Sequence, residues 1–135
     1  MTRLALGVTL ILAACSAAPK PPPVAPPAKS IDFTGAHVED ATVEGYVTLV
    51  DFWSESCAAC TVVEGKIAAQ IDKNDRVLVR KVDVGDGFTP VAQAYDVSAL
   101  PHWKVYDTKR RLRFILIGPD CLRAPELASQ LLAEH

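Results

Sequence analysis

The sequence lacks an excess of charge of either sign. Fourteen Lys and Arg stand against sixteen Asp and Glu, a formal charge of −2. That balance removes the electrostatic case for nucleic acid, which needs a concentrated basic surface. The chain also lacks an apolar run long enough to cross a bilayer, which takes about 20 residues. Its longest candidate, Leu4 to Ala14, is too short. Cysteine is sparse: four among 135 residues are too few for a small disulfide-dense scaffold and too many to ignore. There is no internal repeat, no second C-x-x-C and no H-x-x-H. Proline, by contrast, is plentiful, and six of the ten fall between Pro19 and Pro27.

That proline cluster marks a boundary. Proline fixes φ and donates no hydrogen bond, so Pro19 to Pro27 is expected to be an extended spacer. Ahead of it, Met1-Thr2-Arg3 and the apolar stretch Leu4 to Ala14 read as a secretory signal peptide. The stretch ends in Leu12-Ala13-Ala14-Cys15, which resembles the lipobox of bacterial lipoproteins. The resemblance implies a signal peptide over 1–14, acylation of Cys15, and a lipidated, proline-rich tether over 15–30. The bland alternative is a plain signal peptide with an incidental cysteine. Two or more acyl chains hold a protein stably to a bilayer. An extended tether at about 3.1 Å per residue would set a folded head roughly 45 Å from the membrane. The expected location is extracytoplasmic, lipid-anchored and facing the periplasm. Ser16 lacks the aspartate associated with inner-membrane retention, which tilts the expectation to the outer membrane.

From residue 31 to 135 strand and helix patterns alternate. Ile31-Asp32-Phe33 reads as a short strand, and Thr34 to Glu44 is ambiguous, with one or two helical turns. Tyr46 to Trp53 is almost wholly apolar and β-branched, the pattern of a strand covered on both faces. Cys57 to Lys73 reads as a helix, with Val62, Val63, Ile67 and Ile71 at three- and four-residue spacing. Arg76 to Val84 is again strand. Thr89-Pro90 starts a short helix, with Thr as cap and Pro in the first turn. Trp103 to Tyr106 and Leu112 to Ile117 form a hairpin around the basic turn Asp107 to Arg111. Ala124-Pro125 opens a last helix with a stripe of Leu127, Leu131 and Leu132. Alternation first and a hairpin last predicts an α/β fold: a mixed central sheet of four to five strands with helices on both faces.

The chemistry concentrates at Cys57-Ala58-Ala59-Cys60, where a buried strand gives way to a helix. Unpaired N–H groups at a helix start stabilise a thiolate, which makes Cys57 the expected nucleophile. Cysteines at i and i+3 have Cα atoms about 5–6 Å apart, close enough to alternate between dithiol and disulfide. Three other chemistries use the same spacing. Haem attachment fails because Thr61, not His, follows the pair. Zinc needs two further ligands, for which Cys121 with His102 or His37 are the candidates. A purely structural disulfide over so short a loop adds little entropic stabilisation.

The stretch Leu49-Val50-Asp51-Phe52-Trp53-Ser54-Glu55-Ser56-Cys57-Ala58-Ala59-Cys60 resembles the active-site segment of the thioredoxin family. Lys81 in Val79 to Val84, Leu100-Pro101 after Tyr95-Asp96-Val97-Ser98-Ala99, and Gly118 match further family motifs in the right order. The likeness spans about residues 31–135 and implies a thioredoxin fold. The Cys-Ala-Ala-Cys form looks closer to periplasmic thioredoxin-like reductases. Those include the C-terminal domain of the thiol:disulfide interchange protein and the cytochrome c maturation thioredoxins. The resemblance implies a membrane-tethered thiol:disulfide oxidoreductase that reduces protein disulfides, with a membrane thiol:disulfide electron donor and no cofactor or metal. Cys57 would attack the substrate disulfide and Cys60 would resolve the mixed disulfide. Asp51 would take the proton from Cys60, tuned by Lys81. A cis Leu100-Pro101 would leave the Leu100 backbone free to pair with a substrate strand, beside Trp53 and Gly118.

Departures from the family are Ser56 in place of tryptophan, Ala58-Ala59 in place of Gly-Pro, Gly65 in place of a helix proline, and His102 in place of threonine. His102 is open to two readings, a substrate or thiolate contact and an exposed bystander. Two alanines between the cysteines add no positive charge to stabilise a thiolate, which favours a reductase over an oxidase or isomerase. Cys121 is left over, expected to be half-buried at a helix start or to form a regulatory disulfide. The alternative from another class is a binding or scaffold lipoprotein with a structural or metal-binding cysteine pair.

Overall fold

The computed structural model describes residues 23–87 and 89–134. The signal peptide over 1–14, Cys15 and the tether up to residue 22 lie outside the described residues. Five strands form one mixed sheet: β1 (Ser30–Asp32), β2 (Val47–Trp53), β3 (Val77–Asp83), β4 (His102–Tyr106) and β5 (Leu112–Ile117). Their spatial order is β1-β3-β2-β4-β5. The first three strands run parallel, and β4 and β5 run antiparallel to their neighbours.

The helices are α1 (Ala58–Asp72), α2 (Pro90–Ala94) and α3 (Ala124–Ala133). The ambiguous stretch Thr34 to Glu44 holds one 3-10 turn, Val38–Ala41. A second 3-10 helix, Gly118–Arg123, leads directly into α3. Thr89 caps α2 as its sequence predicts, its Oγ1 accepting from the Ala92 N–H at 3.1 Å.

Strand β2 lies at the centre of the sheet and is buried along its length except at Trp53. This explains its nearly unbroken apolar sequence, because alternate residues enter two different cores. Val47 and Leu49 pack with Val63, Ile67 and Ile71 of α1 and Leu127 and Leu131 of α3. Val50 and Phe52 face the other way, towards Ala92, Tyr95 and Val97. Asp51 has the parity of Val47 and Leu49 and projects towards the α1 face.

Two details differ from the sequence reading. Val62 is 54% exposed and is not part of the core stripe. Cys60 takes that place on the buried face of α1, one turn ahead of Val63 and Ile67. The fold also reaches back into the segment read as tether. The Val79 N–H donates to the Lys29 carbonyl at 2.8 Å, and the buried Arg80 guanidinium donates to the carbonyls of Ala28 (3.1 Å) and Ala41 (2.9 Å). Residues 28–30 are therefore bonded to the sheet edge.

Candidate active site

Cys57 and Cys60 are joined in a disulfide with Cα atoms 5.3 Å apart. The pair sits where β2 ends and α1 begins. Cys57 is the N-cap of the helix, and its Sγ accepts the Cys60 N–H at 3.1 Å. A donor is thus already aimed at the sulfur on which thiolate charge develops. The two sulfurs differ in access: Cys57 is half-buried and Cys60 only 5% exposed. Only the outer sulfur can meet another protein, and the inner one is placed to resolve what forms there.

The loop before Cys57 is held by a hydrogen bond from the Ser56 hydroxyl to Asp86, an exposed carboxylate after β3. A serine where the family has tryptophan therefore links the nucleophile's loop to a negative charge.

Asp51 is 2% exposed and its Oδ1 has no hydrogen-bond partner. Burial is the main reason that its carboxyl is raised to about 7, and the charge of Glu64 adds to the rise. Lys81 opposes it, and so does the Trp103 indole, which stops short of hydrogen-bond geometry. An acid that titrates near neutrality is suited to exchange a proton with a thiol. A cavity of about 220 Å3 runs from Asp51 and Trp103 past Glu64 to Ser30 and Asp72 at the surface.

Lys81 lies beside Asp51 in the β2–β3 register, but its ion pair is with Glu64, at 2.8 Å. Its ammonium also sits 5.0 Å from the centre of the Trp53 ring. Glu64 is the participant that sequence reading missed. The available signal was its place one turn after Cys60, since i and i+4 share a helix face.

Immediately before β4, whose first residue pairs with Phe52 of β2, the Leu100-Pro101 peptide is cis. The Pro101 carbonyl accepts the Gly118 N–H at 2.9 Å, and Gly118 adopts φ +59°, a conformation natural to glycine. Cys121 is fully buried beneath this junction. Its thiol is 3.4 Å from the Leu116 carbonyl oxygen and 3.6 Å from that of Pro101. Burial, with the nearby Asp51 charge, pushes it up to about 12. The expectation of a half-buried residue is corrected: Cys121 is a sealed thiol beneath the cis peptide.

His102 is corrected as well. It is 3% exposed, on the face opposite Asp51, with its ring edge-on to Phe52 at 5.5 Å. Neither an exposed bystander nor a substrate contact fits that burial. Among the described residues no three His, Cys, Asp or Glu side chains converge as metal ligands. A groove of about 430 Å3 between Phe33, Tyr95 and Val91 lies against α2 and includes neither cysteine.

The family model for thioredoxin matches residues 33–119. No curated protein matches the chain significantly. Among solved structures, a mutant thioredoxin from Halobacterium salinarum NRC-1 is 23% identical with a TM-score of 0.63, covering 81% of this chain and 96% of its own. Thioredoxin O2 from Arabidopsis thaliana, in its oxidized state, is 17% identical with a TM-score of 0.61, covering 77% and 95%. A thioredoxin from Malassezia sympodialis is 20% identical with a TM-score of 0.59, covering 78% and 94%.

Proposed function

The chain belongs to the thioredoxin family and is a thiol:disulfide oxidoreductase acting on protein disulfides; from that premise we propose that it works as a reductase outside the cytoplasm, held to a membrane through acylated Cys15. In this reading residues 1–14 are removed, the segment from Cys15 to residue 27 forms the tether, and the catalytic domain runs from residue 28, where the chain bonds to the sheet edge, to 135. A membrane thiol:disulfide donor returns electrons to the pair.

The observation that carries the direction is the charge around the sulfurs. A pair becomes oxidising when its thiolate is stabilised. Here the uncompensated neighbours are carboxylates: Asp86 on the Ser56 hydroxyl and Asp51 beneath the sheet end, while Glu64, one turn along α1, is offset by its own ion pair. Lys81, the nearby cation, is committed to Glu64. Negative surroundings disfavour the thiolate, so the dithiol gives up its electrons more readily.

The cycle follows from access and acidity. The Cys57 thiolate attacks a substrate disulfide, forming a mixed disulfide and releasing one substrate thiolate. Cys60, deprotonated by Asp51, attacks the Cys57 sulfur and releases the second substrate thiol. Two electrons pass to the substrate and the pair is left as the disulfide. Leu100 and Pro101 line the docking edge with Gly118, and Trp53, at the end of β2 with the Lys81 ammonium over its ring, adds an apolar surface to it.

Four measurements test this reading. Cys57→Ser is expected to abolish insulin-disulfide reduction, and activity retained in that variant overturns the assignment. Cys60→Ala is expected to accumulate mixed disulfides with its substrates. The potential is expected near that of thioredoxin, about −270 mV, and a value near the −120 mV of the strongest oxidases overturns the direction. The intact mass of the membrane-extracted protein shows whether Cys15 is acylated.

A further inference from the structure

The loop after β3 and the loop before the cis peptide enclose a cavity of about 190 Å3. Gly85 and Gly87 line one wall, and Leu100, on the docking edge, closes the other. Its floor is apolar: Val84, Ala92 and Val97, all members of the core on the face opposite Asp51. The Val84 N–H donates to the Trp53 carbonyl at 2.9 Å, so the floor begins where β2 ends and the chain turns towards Cys57.

The two glycines of the wall flank Asp86. Its carboxylate is exposed and accepts the hydroxyl of Ser56, the residue immediately before the nucleophile. One peptide unit, about 3.8 Å between Cα atoms, and one hydrogen bond therefore separate the Cys57 backbone from that charge. Hydrogen bonding from Ser56, and then from Ser54, holds the carboxyl below the usual carboxylate range, so it is charged at neutral and mildly acidic pH. Among the described residues no ion pair engages Asp86, and Lys81 is taken by Glu64. An apolar floor and an unpaired negative charge at the rim thus lie side by side, between the nucleophile's loop and the docking edge.

We infer that the cavity and Asp86 form a specificity subsite for disulfide exchange, which takes a lysine or arginine side chain one or two residues from the reacting cysteine of the protein substrate. The inference rests on the reading of the chain as a reductase of protein disulfides and names the substrates it prefers. Lysine and arginine lay an aliphatic stem along apolar surface and keep the charged head at a polar rim. Residues of an extended strand are about 3.3 Å apart, so a close neighbour of a cysteine held at Cys57 falls within reach of Asp86. Docking excludes water from the rim, and the ion pair gains over its value on an open surface. An acidic residue at the same place is repelled, so the subsite discriminates by attraction and by repulsion.

The test mixes the reduced full chain with disulfide-linked peptides that differ only two residues to either side of the cysteine, where they carry lysine, norleucine, alanine or glutamate. The second-order rate constant of exchange is read by rapid mixing. Each rate is divided by that of the same peptide with dithiothreitol, which removes the peptide's own reactivity. The lysine peptide is expected to react about fivefold faster than norleucine, norleucine about twofold faster than alanine, and glutamate slowest. In Asp86→Asn, which keeps an acceptor for the Ser56 hydroxyl, the lysine rate is expected to fall to the norleucine rate. In Asp86→Lys the glutamate peptide is expected to overtake the lysine peptide. These are ratios between peptides on one protein, so a general change in Cys57 reactivity cancels. At about 0.5 M salt the lysine advantage is expected to shrink and the norleucine advantage to persist. Equal rates for lysine and norleucine on the parent chain overturn the inference, as does a lysine preference undiminished in Asp86→Asn. Norleucine no faster than alanine overturns the role of the cavity. A potential in the range of the strong oxidases overturns the reductase reading instead, and the peptide ratios are then judged for exchange in the other direction.

Discussion

Asp51 and Asp107 are sealed from solvent to nearly the same degree, at 2% and 1% exposure, and they sit at opposite ends of the sheet with opposite surroundings. Asp107 is surrounded by donors. The Lys109 and Arg111 N–H groups donate to its Oδ1 at 2.9 Å each, and the Arg111 guanidinium donates to its Oδ2 at 2.7 and 2.9 Å. Arg113 approaches the same oxygen at 3.3 Å. Burial by itself would raise this carboxyl, but those donors hold it well below the usual carboxylate range. Asp51 has one oxygen with no partner and rises to about 7. Equal exposure thus goes with a fixed charge at one site and a mobile proton at the other. Asp51 lies deep in the protein and Asp107 close beneath its surface, so depth and the number of donors together decide which, and the poorly satisfied site is the one beside the sulfurs.

The strongest way to break this comparison is to remove the satisfied carboxylate. Asp107→Ala leaves the Arg111 guanidinium and two turn N–H groups without their acceptor, while Arg113 keeps Glu134, and a stability loss of about 3 kcal/mol in urea unfolding is expected. The redox potential should not move; a shift there would mean that the two ends are coupled.

Asp51→Asn should act in the other direction. The carboxyl is raised from 3.8 to about 7 in the fold, so the folded state holds its proton more tightly. The stability this gives is complete below pH 3.8 and is lost as pH rises through 7. The asparagine variant is therefore expected to gain about 2 kcal/mol over the parent at pH 8 and nothing at pH 3. Its resolving step should slow about tenfold, read by rapid-mixing decay of the mixed disulfide. An equal gain at both pH values would remove the protonation argument.

The smallest effect is expected from Glu64→Gln. Removing its charge takes away one of the causes that raise Asp51 and frees Lys81 to face it. The pH profile of the resolving step should move to lower pH by less than one unit, because Glu64 is 45% exposed and screened. A profile that stays in place would confine Glu64 to a surface ion pair.

Much of this was legible from residue types. The apolar run of β2, the Thr89-Pro90 helix start and the hairpin around Asp107 have local causes, and each falls within a residue or so of its reading. The redox pair was legible because its spacing is its mechanism. What escaped depended on partners remote in sequence. Lys81 reads as the residue that tunes Asp51, and the packing of α1 on β3 pairs it with Glu64. Val62 fits the helical period but falls on the outer edge of the apolar stripe. Nothing around Cys121 in the chain reveals that its thiol meets a carbonyl twenty residues earlier, at Pro101. Arg80 lies in the strand read from Arg76 to Val84, and its sequence neighbours do not show that it is 3% exposed and ties the N-terminal segment to the sheet.

The Cys60 N–H already touches the Cys57 sulfur in the oxidised protein. When the S–S bond opens, the charge that appears on that sulfur meets a dipole pointing at it from the start. Water need not turn and the helix need not shift to receive it, so reorganisation energy stays small in both directions of exchange. A carrier that must accept electrons from one protein and pass them to another benefits twice from such a rigid environment. The preference among its partners is then set by how they dock, and the ease of the sulfur chemistry is common to them all.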